Sequence, residues 1–281
     1  MFRDPEESAT SAVLALLLEV SSTPKAGNVD REHDFEDLKF EHFLTSAVSA
    51  FPFFLKTAKE KRLHLLQAVI AGKNFGINTN VHFGAFLLLF PLVAVWESES
   101  AVVAGKNATN FLKSTTHFES LEILKAFQLC KPRVLETKEM SLKCNSTAEE
   151  ILRKRMNVYE WMKLAPKENL IAFEITNGYP RSVEGASFLL SSNDRANDAI
   201  VLLYHRMLAS YPDTLIISKF GIEKALEVMS LAKKAIEAKD FNEFRRLDEF
   251  LLKNRLNPGT IADLTASSIY LAFLEGWKVE A

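Results

Sequence analysis

Three short segments of this 281-residue chain gather side chains capable of chemistry beside turn-forming residues. The first, STPKAGNVDREHD at Ser22 to Asp34, follows an apolar run and carries Lys25, Asp30, Arg31, His33 and Asp34 around Pro24 and Gly27. Lys25 and Arg31 suit phosphates; Asp30, Asp34 or Asp37 could bind a metal ion or move a proton. The same charges would also suit a solvated connector between helices. The second segment, INTNVHFG at Ile77 to Gly84, alternates Asn80, His82 and Gly84 where a strongly apolar helix begins. A helix start offers free backbone N–H groups to an anion, and Gly84 would allow close approach. Asn80 could equally be a helix cap and His82 a packed ring. In the third, NRLNPGTIADL at Asn254 to Leu264, Asn257 reads as a cap, Gly259 and Thr260 fall in the first turn, and Asp263 follows about one turn later. Asp263 lies in an apolar stretch, so it needs a partner, a metal ion or an exposed position. A fourth junction, PDTLIISKFG at Pro212 to Gly221, adds Asp213 and Lys219, with Asp213 also fitting an N-cap.

The elements that must position these groups read as helices. Ser11 to Val20 (SAVLALLLEV) is a helix made to be buried, and FGAFLLLFPLVAVW at Phe83 to Trp96 is a central helix kinked or ended near Pro91. Ser146 and Thr147 stand three residues before Glu149 and Glu150, a capping-box spacing that predicts a helix through Trp161. Asp240 caps a helix carrying Phe241, Phe244, Leu247 and Leu251 at helical spacing. Pro258 after Asn257 opens the last helix, which runs toward Glu275 and stops at Gly276. His117 to Lys143 is the least regular stretch and could hold a long loop. Tyr204, His205 and Arg206 read as mid-helix surface residues, Glu174, Asn177 and Arg181 as a bend around NGYP, and Phe51, Phe53 and Phe54 as core or interface. With no strand alternation, repeat or flexible linker, the expectation is one all-α domain over residues 1–281, about ten to thirteen orthogonally packed helices.

Composition narrows the function classes. Near half the residues are apolar and a quarter charged, as in a globular protein, and 34 basic against 36 acidic residues give a net charge of −2. That balance argues against a general nucleic-acid or anionic-membrane surface. The run at Phe83 to Trp96 is too short to span a bilayer. Cys130 and Cys144 form neither a metal cluster nor a disulfide framework, so a cytoplasmic location is expected and the sequons at Asn107 and Asn145 are idle.

His33-Asp34 spells the dipeptide of the helical HD phosphohydrolases, which need further His and Asp ligands on separate helices. A broader match exists. PKAGNVDR at Pro24 to Arg31, NVHFG at Asn80 to Gly84, DTLIISKFG at Asp213 to Gly221 and NRLNPGTIADL at Asn254 to Leu264 resemble, in order, the PKPGLVDR, NTHKG, DTNLLHRGG and NLSPGGSADL motifs of the triphosphoribosyl-dephospho-CoA synthase family. The resemblance covers essentially the whole chain, and the HDFED form of the first loop is similar to the archaeal branch. Phe83 replaces the Lys of the second motif; Leu215, Ser218 and Lys219 replace the Asn and the His-Arg pair of the third. Those departures remove phosphate contacts.

The resemblance implies a pentosyl transfer: the 2′-hydroxyl of 3′-dephospho-CoA displaces adenine from the ribose of ATP, for prosthetic-group biosynthesis, with small-molecule nucleotides as partners. Under it, Lys25, Arg31 and Lys219 hold phosphates, with Mg²⁺ bound through Asp30 or Asp37. Gly27, Asn80, Asn257 and Thr260 join the nucleotide site, and the helix starts at Gly84 and Gly259 supply N–H donors. Asp213 or Asp263 is the general base, with Asp30 also in the catalytic set, and His82 protonates or positions adenine. Two alternatives stay open: a different nucleotide-dependent ribosyl or phosphoryl transfer to another acceptor, and a non-catalytic nucleotide-binding scaffold.

Overall fold

The computed structural model describes residues 1–135, 137, 140 and 146–279; Cys144 and Asn145 lie outside them. The described residues form fifteen helices and no strand, an all-α domain with a few more helices than the sequence suggested. In chain order they are α1 Pro5–Ser21, α2 Phe40–Glu60, α3 Leu65–Asn74, α4 Phe83–Ala94, α5 Ala101–Ser114, α6 His117–Cys130, α7 Thr147–Lys154 and α8 Val158–Met162. There follow α9 Leu170–Asn177, α10 Pro180–Ser191, α11 Ala196–Ser210, α12 Thr214–Phe220, α13 Ile222–Glu237, α14 Phe241–Lys253 and α15 Gly259–Leu274.

Two helices that are apolar almost all round make the centre. Ten residues of α4 are buried, and α15 buries thirteen, including Thr265, Ser267 and Ser268. Those hydroxyls are affordable there because each donates to a carbonyl of its own helix, at 2.8–2.9 Å. α4 packs on α15, α5 and α2, while α1 lies across α2 and α15. α4 runs on through Pro91 and stops three residues later, and Tyr179 donates to the Leu88 carbonyl at 3.1 Å just before the proline. Phe54 stacks on Phe90 with ring centroids 4.4 Å apart, and Phe51 and Phe53 pack partly buried beside it, so this Phe cluster belongs to the core.

Three expectations change. His117 to Cys130 is a regular helix, opened by a reciprocal cap between Thr116 and Glu119, within the 117–143 stretch that could hold a long loop; 136, 138, 139 and 141–143 lie outside the described residues. The helix opened at Thr147 does not reach Trp161: the chain turns left-handed at Arg155 (φ 48°), and Asn157 caps a new helix by accepting from Glu160 N at 2.8 Å. Tyr204 and His205 are fully buried rather than on the surface. Glu174, in line with a bend, is a buried cap: it accepts from the backbone N–H groups of Arg181 and Ser182 at the start of α10.

His205 makes a test of the core. Its Nδ1 lies 2.7 Å from the Val201 carbonyl, its ring stacks 3.9 Å from Phe244, and Nε2 has no partner. Burial pushes its pKa down from 6.5 to about 4. Between those values the unfolded chain binds a proton that the folded chain refuses, so this contribution to stability is lost as pH falls from 6.5 toward 4. H205F has no such term. The stability gap between the two proteins in urea melts should therefore shift by about 3 kcal/mol in favour of H205F over that window; a gap independent of pH would contradict the buried neutral ring.

Candidate active site

A cavity with about 150 Å³ of water-accessible space opens beside α4 and α15. Its walls come from the C-terminal part of α1, the turn before α4, α9, the starts of α12 and α15, and the 132–134 segment. Of the residues singled out in the sequence, Asn80, His82, Gly84, Asn257, Gly259, Thr260 and Asp263 line it together. Motifs far apart in sequence thus meet at one place, because α4 and α15 pack directly and start at the same end.

His82 occupies the cap position of α4 with left-handed backbone (φ 61°), which turns its ring into the cavity wall beside Phe43 (centroids 5.0 Å). Neither ring nitrogen has a hydrogen-bond partner, and neither does Asn80 Oδ1. Burial, helped by the Lys25 charge, lowers the His82 pKa to about 3. The ring is therefore neutral at ordinary pH. It can donate one hydrogen bond and accept another, but holds no imidazolium with which to protonate adenine.

Asp263 meets the first turn of α4. A Cβ at Gly84 would collide with Asp263 Oδ2 and lie 2.6 Å from Ile171 Cδ1, so the glycine is what lets the carboxylate reach the N-terminus of α4. The Ala85 N–H favours its charge, yet burial and the neighbouring carboxylates of Glu19 and Asp213 raise its pKa well above the usual range. It is a half-buried acid that lines the cavity.

Asp213 does not line the cavity; it builds the wall. Oδ1 accepts from Ile216 N at 2.9 Å, capping its own helix α12, and Oδ2 accepts from Ile261 N at 2.9 Å, capping α15 across the fold. Burial raises its pKa to about 6 against those N–H groups. With both oxygens committed, Asp213 has none left to act as base. Asn257, expected to cap α15, instead has its Oδ1 accepting from Asn28 Nδ2 at 3.0 Å, since Asp213 has taken the capping task.

The first loop is likewise scaffold. Lys25 is fully buried; its ammonium pairs with Glu19 and donates to Asn28 Oδ1 at 3.2 Å, with the Tyr204 ring 5.8 Å away. A phosphate would have to displace Glu19 to reach it. Asp30 accepts from Lys25 N, Glu32 N and His33 N, at 3.2, 2.8 and 2.9 Å, which folds the loop on itself. Gly27 has φ 72° and donates to Asp248 Oδ1 at 2.8 Å, and a Cβ there would strike the Leu256 carbonyl. Arg31 is exposed and donates to Asn197 Oδ1 at 3.1 Å. None of these four lines the cavity. The expected phosphate role of Lys25 and Arg31, the catalytic role of Asp30 and the nucleotide contact of Gly27 thus give way to loop architecture.

Nor does a metal fit at Asp30 and Asp37. The oxygens of Asp30 are committed to backbone N–H groups, and Asp37 is exposed and close enough to Lys219 to stabilise its charge. His33 and Asp34 also part company: His33 Nδ1 lies 3.1 Å from Asp248 Oδ2, while Asp34 Oδ1 accepts from Phe40 N at 2.7 Å. Among the described residues no group of three or more His, Cys, Asp or Glu side chains could hold a metal ion.

Glu19, Asp248 and Arg133 lie outside the four motifs, and Asn28, within the first, was not singled out there. Glu19 and Asn28 line the cavity and join it to Lys25; Arg133 lines it from the irregular 132–134 segment; buried Asp248 pins the first loop to α14. Only Glu19 carried a signal, as a lone acid in the apolar run SAVLALLLEV.

Comparisons with known proteins point to one family. The profile of the ATP:dephospho-CoA triphosphoribosyl transferase family matches residues 5–280. A protein of Streptococcus equi subsp. zooepidemicus strain MGCS10565, named "Probable 2-(5''-triphosphoribosyl)-3'-dephosphocoenzyme-A synthase", is 30% identical over 301 residues, covering 94% of this chain and 95% of that one. A protein of Streptococcus pyogenes serotype M5 strain Manfredo with the same name is 26% identical over 294 residues, with the same coverage. A crystal structure from Archaeoglobus fulgidus, assigned as a triphosphoribosyl-dephospho-CoA synthase, is 45% identical and superposes with a TM-score of 0.73, covering 84% of this chain and all of its own. Fold and relatives define an all-helical transferase that uses a nucleotide as donor. The chain belongs to the ATP:dephospho-CoA triphosphoribosyl transferase family.

Proposed function

We propose that this chain transfers the triphosphoribosyl group of ATP to 3′-dephospho-CoA in the cavity beside α4 and α15, as a cytoplasmic enzyme of small-molecule nucleotides. The observation that carries the reading is a set of buried polar atoms left open beside one space: Asn80 Oδ1 and both His82 ring nitrogens have no protein partner, and their residues line the same cavity as Asp263. Buried polar atoms are left open at such expense where a ligand completes them.

In the reaction the 2′-oxygen of the acceptor bonds to the anomeric carbon of the ATP ribose as the bond from that carbon to adenine N9 breaks. The electron pair of the broken bond leaves with adenine, and the hydroxyl proton is passed on so that adenine departs protonated. Asp263 is the group that takes the proton from the attacking hydroxyl; its raised pKa makes it a stronger base than a solvated carboxylate. Neutral His82 and Asn80 hold the departing base by hydrogen bonds; the Ala85 and Ile261 N–H groups, at the starts of α4 and α15, are already taken by Asp263 and Asp213. Asn257, Gly259 and Thr260 shape the wall against which the ribose lies.

Incubation with ATP and 3′-dephospho-CoA should release adenine in step with a coupled nucleotide product. Release of ADP instead, or adenine formed only with a different acceptor, would favour another transfer reaction; thermal stabilisation by ATP with no turnover would favour a binding scaffold.

A further inference from the structure

The cavity is divided by charge, and the division assigns a direction to the bound nucleotide. Its interior holds two carboxylates, Glu19 and Asp263, and the cation nearest to them, Lys25, is buried behind the wall and closed by Glu19. Phe83 and Leu215 make that interior apolar as well. Such a space suits a base and a ribose and repels a polyphosphate, since unpaired like charges brought together at low dielectric are costly. The rim is of opposite character. Arg133 lines the cavity yet is exposed on the 132–134 segment. Lys219 is exposed on α12 one turn beyond Leu215, which puts it on the helix face that Leu215 turns to the cavity. Partial burial and then the neighbouring Arg133 charge lower the Lys219 pKa, with Asp37 as a nearby carboxylate opposing them. Neither forms an ion pair among the described residues.

We propose that Arg133 and Lys219 form a polyphosphate subsite at the mouth of the cavity, and that a nucleoside triphosphate binds with its base inward and its phosphates between these two cations. The inference rests on the nucleotide reading of the cavity given above. It moves the phosphate-holding task away from Lys25 and Arg31, whose side chains are committed elsewhere, and gives it to an arginine outside the four motif matches.

Calorimetry with inorganic tripolyphosphate, ATP and adenosine on wild type, R133A, K219A and the double variant tests it. Wild type should bind tripolyphosphate in competition with ATP. Each single variant should weaken ATP and tripolyphosphate about tenfold, as expected for loss of one charge-assisted contact, and the double variant should abolish tripolyphosphate binding. Adenosine affinity should stay within about twofold throughout, because a surface cation contributes little to a neutral ligand. The salt dependence of ATP binding should flatten in the double variant. Unchanged ATP and tripolyphosphate affinity in the double variant overturns the subsite while leaving the nucleotide reading intact. An equal loss of adenosine binding overturns it as well, by showing that the two residues shape the cavity instead. Wild type that binds neither ATP nor adenosine sinks the nucleotide reading itself.

Discussion

Asp263→Asn should lower adenine release from ATP by about 10²- to 10⁴-fold, the range over which a positioned general base contributes. The substitution keeps an oxygen for the Ala85 N–H and the same volume beside Gly84, where no spare room exists. It removes a buried charge held near Glu19 and Asp213, so the thermal midpoint should hold or rise. ATP affinity should change far less than turnover, because the lost function belongs to the transition state. The pH profile adds a second reading. Asp263 accepts a proton only when ionised, and its pKa is raised, so wild-type kcat should climb with pH through a value above the ordinary carboxylate range; the residual rate of D263N should lack that limb. An Asn variant with wild-type kcat would remove Asp263 from the chemistry.

Lys25→Met should unfold the protein more readily without first weakening its substrate. Glu19 and Lys25 form a buried pair, with Asn28 as the further partner of the ammonium. Removing one member leaves the other charge uncompensated, which costs about 3–5 kcal/mol. Adding Glu19→Gln to Lys25→Met should restore much of that loss, since replacing both charges is far cheaper than breaking the pair. Urea melts of the single and double variants, with ATP affinity measured on the folded proteins, check this. If K25M instead kept its stability and lost ATP binding tenfold, the lysine would be a phosphate ligand after all.

The contrast between these residues explains what the sequence could tell. That Asn80, His82, Gly84, Gly259 and Asp263 share a cavity was legible because each stands just before or within the first turns of an apolar helix, where a glycine signals close approach and a polar side chain has few structural excuses. Lys25, Asp30 and Arg31 were misleading for the same local reason: a dense cluster of charges shows chemical capacity, not where each side chain is spent. Their partners are set by folding. Gly27 meets Asp248 across 221 positions of chain and Asn28 meets Asn257 across 229. Asp213 carried the N-cap signal correctly for α12, yet its second oxygen serves a helix 48 positions on, which no local pattern encodes. The regular helix at His117–Cys130 was legible in principle, through Thr116 and Glu119 at capping-box spacing; the break after Lys154 was marked only by the Asn157 cap. Arg133 lay in the least regular stretch, just past the end of α6, and its position follows from the cavity alone.

The doubled cap at Asp213 has a consequence for how a long ligand is received. One carboxylate holds the starts of α12, which carries Leu215 and Lys219, and of α15, which carries Gly259, Thr260 and Asp263. Phosphate end and ribose end of a nucleotide would thus be gripped by two jaws bolted to one pin, their separation fixed before the ligand arrives. Little ordering remains to be done on binding, and what one end gains need not be spent aligning the other. Asparagine at position 213 could bolt only one jaw, since its amide turns a donor toward the other helix's N–H.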